Sequence, residues 1–234
     1  MKKLIPIVSL LALSISSVNA ATLVWSASTA RNGFDLLDGT DLPVGNLVRA
    51  GFFDVSDTFI SDNSGTLAGL QILDSHFTEF ATAKIGDGVG GNAGFFSHND
   101  SLLGATAAAL AGKQIYLWAF ASTDNQSTSS SLLTAFQTGI FYIPFSADTD
   151  WKFPSDPDTG STTIGLRDLT DAATSTTLLP ASKLLAGTFP ADAGHVSALT
   201  GKPMFVLQNV PEPSSVALLA LGSMGLLARR RRNS

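Results

Sequence analysis

Short apolar segments separated by turn residues run through most of the chain. The strongest is Gln114–Ala121, which is dense in β-branched and aromatic residues and typical of a buried strand. Similar runs predict strands at Thr22–Ser26, Leu47–Phe53, Thr138–Phe145 and Asp150–Phe153. Clusters of Gly, Asp, Asn, Pro and Ser between them indicate loops, among them Asp35–Thr40, Gly86–Gly94 and Ser155–Thr163. We therefore expect a mainly β domain, built as a sandwich or a jelly-roll-like fold.

One stretch departs from this alternation of strands and loops. From Leu67 to Phe80, apolar residues recur every three or four positions with polar residues between them. This spacing predicts one face of an amphipathic helix, with Ser64 or Thr66 as its N-cap. A second, shorter helix is predicted at the alanine-rich segment Ala105–Ala111. The β domain is thus expected to carry one or two helices.

The first residues have the pattern of a secretory signal. Lys2 and Lys3 supply a positive start, Leu4–Val18 is apolar, and compact residues precede a candidate cleavage site. We expect residues 1–20 to be a signal peptide that is cut between Ala20 and Ala21. The domain that follows is therefore predicted to be exported.

The other end has the pattern of a membrane anchor. Ser214–Ala228 carries no charge, and its 15 residues reach ~22 Å as a helix, against ~30 Å for a bilayer core. Four consecutive arginines follow, namely Arg229, Arg230, Arg231 and Arg232. Because long cationic side chains snorkel and mark the cytoplasmic side, residues 214–228 are predicted to span the membrane minimally as a single transmembrane helix. Residues 229–234 form the predicted basic cytoplasmic tail.

The order of features at this end resembles a known sorting signal. Pro211, Glu212 and Pro213 precede the apolar run, and the arginines follow it. This order resembles the PEP-CTERM protein-sorting signal, formerly called an ice-binding protein C-terminal domain. The resemblance implies that exosortase, a membrane-embedded cysteine transpeptidase of Gram-negative bacteria, recognises the tripeptide, cuts near it and transfers the body to a surface acceptor. The implied location is the cell envelope, first anchored in the inner membrane and then at the cell surface or outside.

The remaining body is predicted to be one domain, residues 21–202, joined to the anchor by a linker at 203–213. Six of the 14 basic residues lie in the two terminal signals, as does one of the 19 acidic residues, which leaves 8 basic against 18 acidic residues. An acidic body without a basic patch excludes nucleic acid as a partner. The absence of cysteine excludes disulfides, thiol catalysis and thiolate metal sites.

Parts of the body resemble bodies often found ahead of PEP-CTERM tails. These parts are Pro43–Phe53 and Leu110–Trp118 followed by Trp151–Pro154. The resemblance supplies no activity. The aromatic residues of the predicted strands have two interpretations, core packing on inward faces or a platform that stacks on sugars. They are Trp118, Phe120, Phe141 and Trp151.

The sequence carries no catalytic signature. The three histidines, His76, His98 and His195, stand in no metal-binding pattern, and the body has no Gly-x-Ser-x-Gly elbow. A glycosidase needs two carboxylates about 5 to 10 Å apart. Candidates for such a pair are Glu79, on the predicted helix, and Asp148 and Asp150, beside strand ends.

Asp156 and Asp158 alternate ahead of Gly160, an arrangement that suits a hard cation such as Ca²⁺. Solvated turn aspartates explain the same pattern, so no cofactor is required. The leading interpretation is a non-enzymatic cell-surface or matrix protein that associates with exopolysaccharide. Its membrane partner is lipid, through residues 214–228. The alternatives are a carbohydrate-active hydrolase that uses paired carboxylates, and an ice-binding or adhesin-like protein.

Overall fold

The computed structural model describes residues 20–28, 32–102, 108–123, 134–144, 151–156, 160–171, 174–190 and 193–211. Within these residues the strands are β1 (Ala21–Ala27), β2 (Phe34–Asp35), β3 (Leu47–Phe53), β4 (Phe77–Lys84), β5 (Phe96–Leu102), β6 (Tyr116–Ser122), β7 (Ala135–Tyr142), β8 (Ser161–Gly165), β9 (Lys183–Ala186), β10 (Phe205–Val206) and β11 (Gln208–Asn209). The helices are α1 (Asp57–Asn63) and α2 (Leu67–Ser75), with 3₁₀ turns at Leu166–Leu169 and Ala193–His195. Of the predicted helix Ala105–Ala111, residues 108–110 are helical and residues 105–107 lie outside the described residues. The prediction of a mainly β domain is confirmed.

The strands form a six-stranded, a three-stranded and a two-stranded sheet. The largest has the order β11-β7-β6-β3-β4, with β9 also paired to β7. The three-stranded sheet has the order β5-β1-β8, and β10 pairs with β2. Two pairings, β1 with β8 and β2 with β10, are parallel. A jelly roll is antiparallel throughout, so these two pairings depart from the jelly-roll-like prediction.

One aromatic side chain joins the sheets into a common core. The ring of Phe34 in β2 lies 6.4 Å from Phe96 of β5 and 5.7 Å from Phe141 of β7. The buried apolar residues of all three sheets belong to one cluster, which contains Trp25, Trp118 and Trp151. Since the chain has no disulfide, burial of these rings is the main stabilising contribution.

The predicted helix from Leu67 to Phe80 is correct only in its first part. Thr66 is the N-cap, and its Oγ1 accepts a hydrogen bond from the backbone N–H of Gly69 at 3.0 Å. The helix ends at Ser75, and Phe77 and Phe80 lie in β4. The chain reverses direction after Ser75, and Phe77 and Phe80 are apolar because they pack on other aromatic rings of the core. Their spacing matches the helical period only by coincidence.

Several elements lack the sequence pattern that would have predicted them. Helix α1 buries only Ile60, so its apolar period is absent, although Ser56 caps it through a 3.2 Å bond to Phe59. Strand β5 and the first half of β8 lie in polar sequence, and Ser155–Thr163 was expected to be a loop. In β5 five of the seven residues are polar, because half-buried His98 and Asp100 alternate with exposed Ser97, Asn99 and Ser101. In β8 the exposed Ser161 and Thr163 alternate with the buried Thr162 and Ile164.

The predicted linker at 203–213 is wrong over its first eight residues. Phe205–Val206 pairs with β2, and Gln208–Asn209 pairs with β7. The apolar residues of this segment are buried, and Val210 is only 2 % exposed. The domain therefore extends to Val210, because the last strands complete the core rather than connect it to another segment.

No helix in the described part of the chain is long and apolar enough to cross a membrane. The predicted transmembrane segment Ser214–Ala228 lies outside the described residues. The same holds for Glu212, Pro213, the four terminal arginines, and all of the predicted signal peptide except Ala20.

Candidate functional site

The three-stranded sheet presents a regular polar surface on its outer side. In β1, Leu23 and Trp25 point into the core, and the half-buried Thr22, Val24 and Ser26 alternate with them on the outer side. The register of β5 and β8 against β1 puts their outward residues beside those of β1. We call this surface the hydroxyl face. Its residues are Thr22, Val24, Ser26, Ser97, Asn99, Ser101, Ser161 and Thr163.

The hydroxyl face consists of three rows that cross the sheet. Ser101, Thr22 and Ser161 form the first row, and Asn99, Val24 and Thr163 the second. The third row is the pair Ser97 and Ser26, because Gly165, which pairs with Ser26 on β8, is buried. Neighbours within a row lie ~4.8 Å apart, and successive rows ~6.7 Å apart. No position is charged or aromatic. Hydroxyl and amide groups both donate and accept hydrogen bonds, so the surface suits a neutral polyhydroxyl ligand.

The inner side of the same strands holds the face in place. Trp25 Nε1 donates to Asp100 Oδ2 at 2.9 Å, and the Trp25 ring meets Phe96 edge-on at 4.9 Å. His98 Nε2 lies 3.4 Å from the same Asp100 oxygen. These contacts fix β1 against β5, so the spacing of the rows is set by packed core residues.

The aromatic residues considered for sugar stacking are all in the core. Trp118, Phe120 and Phe141 are fully buried, and Trp151 nearly so. Trp118 Nε1 donates to Thr138 Oγ1 at 3.0 Å, so even its polar atom faces inward. The core interpretation is confirmed, and these rings are not accessible to a saccharide.

Glu79, one of the candidate catalytic carboxylates, is an ion-pair partner. It lies on β4, where its Oε2 is 2.5 Å from Arg49 Nε, and Asp74 Oδ1 is 2.5 Å from Arg49 Nη1. The Arg49 side chain is 5 % exposed, and its guanidinium stacks on the rings of Phe77 and Trp118. Because Asp74 and Glu79 compensate the buried charge of Arg49, Glu79 serves the fold.

A second acidic cluster was not predicted as a site. Asp35 in β2 bridges to Asp41, and Nδ1 of His195 lies 3.5 Å from its Oδ2. Burial, the carboxyl groups of Asp41 and, to a smaller extent, Asp38 raise the pKa of Asp35 to about 7. Hydrogen bonds from Thr40 hold the pKa of Asp38 below its ordinary value. The repeated spacing of three in Asp35, Asp38 and Asp41 is the signal in the sequence.

Burial closes this cluster to a substrate. Two carboxylates only accept hydrogen bonds, so Asp35 and Asp41 can bond each other only when one is protonated. In the ionised state neither oxygen of Asp35 has a donor among the described residues. Asp35 is 1 % exposed, which leaves no approach for a glycosidic bond. The other candidate carboxylates, Asp148 and Asp150, lie outside the described residues.

The calcium prediction finds no further support. Asp156 is exposed, and its backbone carbonyl accepts from the N–H of Gly160 at 3.1 Å in a turn. Asp158 lies outside the described residues. Among the residues that the structure describes, no three His, Asp or Glu side chains are arranged to hold a metal ion. Calcium binding at Asp156 and Asp158 stays a prediction.

The C-terminal tripeptide begins where the fold ends. The N–H of Val210 donates to the carbonyl of Phe136 at 2.8 Å, and the next residue, Pro211, is exposed. Residues 209–232 match the family model of the PEP-CTERM protein-sorting motif. The chain carries a PEP-CTERM sorting motif. This motif implies an exosortase-targeted exported protein, sorted in association with the membrane toward the cell surface.

The match to the PEP-CTERM motif covers the tail, and the resemblance of the body to other bodies ahead of such tails stays a prediction. No curated protein and no solved structure matches the chain. The function of the body therefore has to be argued from its own surface.

Proposed function

We propose that this chain is a non-enzymatic cell-surface protein, exported through residues 1–20, sorted by exosortase at Pro211, Glu212 and Pro213, and associated with exopolysaccharide through the hydroxyl face. The observation that carries the proposal is the regular, uncharged hydroxyl face on a body whose motif directs it to the cell surface. Residues 214–228 hold the chain in lipid until the cut.

The position of Ala21 supports the export step. Ala21 is the first residue of β1 and pairs with Leu102, while Ala20 precedes the strand. A cut between Ala20 and Ala21 leaves every strand of the domain intact. The mature body would begin at the first residue that the sheet needs.

The chemistry of the hydroxyl face supports a neutral saccharide as the ligand. Without aromatic rings, each contact is a hydrogen bond exchanged against water, and each contributes about 0.5–1.5 kcal/mol. Single sites of this kind bind weakly. A polysaccharide matrix offers many equivalent sites to many surface copies, so avidity compensates for the weak single contact.

The test is retention of the body on purified host exopolysaccharide. The folded chain from Ala21 to Pro211 is compared with the double variant Thr22→Val/Thr163→Val, which keeps shape and strand propensity but removes two hydroxyls. The matched control is Thr78→Val/Thr82→Val on the exposed side of β4. We expect about tenfold weaker retention for the Thr22→Val/Thr163→Val variant. The control variant should be retained as strongly as the unmodified body. Equal retention of all three proteins would remove the hydroxyl face from the proposal.

Two alternatives remain. The hydrolase alternative rests on Asp148 and Asp150, which lie outside the described residues, and Asp148→Asn or Asp150→Asn should then abolish measured saccharide hydrolysis. The regular rows of the hydroxyl face are the arrangement that ice binding would use, although only Thr22 and Thr163 are threonines there. If the body causes thermal hysteresis and does not bind polysaccharide, the ice-binding alternative is favoured.

A further inference from the structure

Strand β11 points toward one end of the six-stranded sheet. Asn209 pairs with Gln137, and the N–H of Val210 bonds to Phe136, so the chain runs toward the start of β7. Ser122 pairs with Ala135 at the same level, and its N–H donates to Asn46 Oδ1 at 2.9 Å. We call this end of the sheet, marked by Asn46, Ser122, Ala135 and Asn209, the exit end.

Little chain separates the exit end from the predicted anchor. Val210 is fixed by burial and by its backbone hydrogen bond, and the apolar run begins at Ser214. Four residues of extended chain reach at most ~14 Å. The polar layer of a bilayer is ~6 Å thick on each side. With Ser214 at the edge of the hydrocarbon, the exit end therefore lies within ~8 Å of the headgroup surface.

The exit end also presents apolar side chains to solvent. Leu37 is 45 % exposed, and its N–H donates to Gln137 Oε1 at 3.1 Å, which ties it to the residue that pairs with Asn209. Val44 is 46 % exposed and precedes β3, where the N–H of Gly45 bonds to the carbonyl of Ile85 beyond the end of β4.

Charge at the exit end does not favour attraction to anionic lipid. Asp38 is exposed beside Leu37, and Lys84 and Asp87 are close together at the end of β4. The short connection, rather than charge, brings this end to the bilayer. Apolar side chains at the contact then gain by leaving water.

We propose that the exit end of the six-stranded sheet is the membrane-proximal face of the anchored chain, with Leu37 and Val44 against the lipid headgroup layer. This inference rests on the proposed anchoring by residues 214–228. It gives the body one orientation before the cut, with the hydroxyl face to the side. The row of Ser97 is nearest the membrane, because the N–H of Ser97 bonds to the carbonyl of Asp87.

The absence of native cysteine allows a direct test on the full chain. Single variants Leu37→Cys and Val44→Cys receive a nitrobenzoxadiazole fluorophore and are reconstituted in vesicles of phosphatidylethanolamine and phosphatidylglycerol that contain a headgroup spin-labelled lipid. The matched control is Ile72→Cys, since Ile72 is 46 % exposed. It lies in the last turn of α2, beside Phe77, which pairs with Phe53 at the opposite end of the sheet.

We expect the spin label to quench the probes at 37 and 44 at least twofold more than the probe at 72. Equal quenching at the three positions, or stronger quenching at 72, overturns the orientation while the anchoring stands. Flotation of the vesicles separates the two hypotheses. A chain that does not float with the lipid shows that the anchoring itself is wrong, and this inference fails with it.

Discussion

Nδ1 of His195 lies 3.5 Å from Oδ2 of Asp35, although the two residues are far apart in the chain. Asp35 belongs to β2, and its backbone carbonyl accepts from the N–H of Leu207 at 3.0 Å. The buried acid therefore lies beneath the C-terminal segment that leads to the sorting motif. We therefore expect the protonation state of Asp35 to affect the stability of that segment's packing.

The first prediction concerns the dependence of stability on pH. The pKa of Asp35 is raised from 3.8 in the unfolded chain to about 7 in the fold, so the folded state holds the proton more tightly. Its contribution is fully present below pH 4 and is lost as the pH rises through 7, by an amount on the order of 4 kcal/mol. Urea unfolding of the body between pH 4 and 8 measures this loss.

The matched variants are Asp35→Asn and Asp38→Asn. Asparagine at 35 donates a hydrogen bond to Asp41 at every pH, so the slope of stability against pH should flatten between 4 and 7. Asp38 is exposed, and its carboxylate is the smallest of the causes that raise the pKa of Asp35, so its replacement should flatten the slope far less than Asp35→Asn. An unaltered slope in Asp35→Asn would show that another group titrates.

A second prediction concerns the buried guanidinium of Arg49. Its acidic partners, Asp74 and Glu79, are about one-third exposed, so either one alone can be replaced at small cost. The double variant Asp74→Asn/Glu79→Gln leaves the buried charge unpaired and should lower the free energy of unfolding by about 3 kcal/mol. Denaturant titration of the single and double variants measures the coupling. If the double variant loses only the sum of two small single-variant losses in unfolding free energy, stacking on Phe77 and Trp118 alone would be enough to stabilise the buried Arg49.

The third prediction concerns the C-terminal boundary of the domain. Ala21–Pro211 should fold, whereas Ala21–Lys202 loses the buried Phe205 and Leu207 and should remain unfolded. In the longer chain, Val210→Ala should cost about 1–2 kcal/mol, because a nearly buried side chain is shortened. Circular dichroism and thermal unfolding give the answer. A cooperative transition in Ala21–Lys202 would restore the linker interpretation for 203–210.

Sequence patterns predicted some of these features and missed others for physical reasons. Strand β6 is buried along its whole length, so its apolar run is continuous and was found. Strand β5 is polar from Ser97 to Ser101, so neither an apolar run nor an apolar alternation predicts it. The sorting motif is contiguous and needs no fold to be recognised. The pairs Arg49–Glu79 and Asp35–His195 depend on the fold, and no local pattern contains them.

In the C-terminal segment, too, the local sequence pattern and the folded structure disagree. Pro203, Pro211 and Pro213 give it the composition of a linker. Phe205 and Leu207 nevertheless fill the core beside Phe141 and β2, because two short strands need few apolar residues to be held. Composition describes the average of the segment, and burial is decided by two or three of its residues.

The mass of the mature protein, isolated from the host envelope, tests the central claim most directly. Export and sorting predict a chain that begins at Ala21 and ends between Val210 and Pro213, because a cut before Val210 would remove core residues and a later one would leave the apolar run. Any added acceptor appears as extra mass at that end. A mature chain that still contains residues 214–234, or that ends inside the β10–β11 segment, would contradict the account.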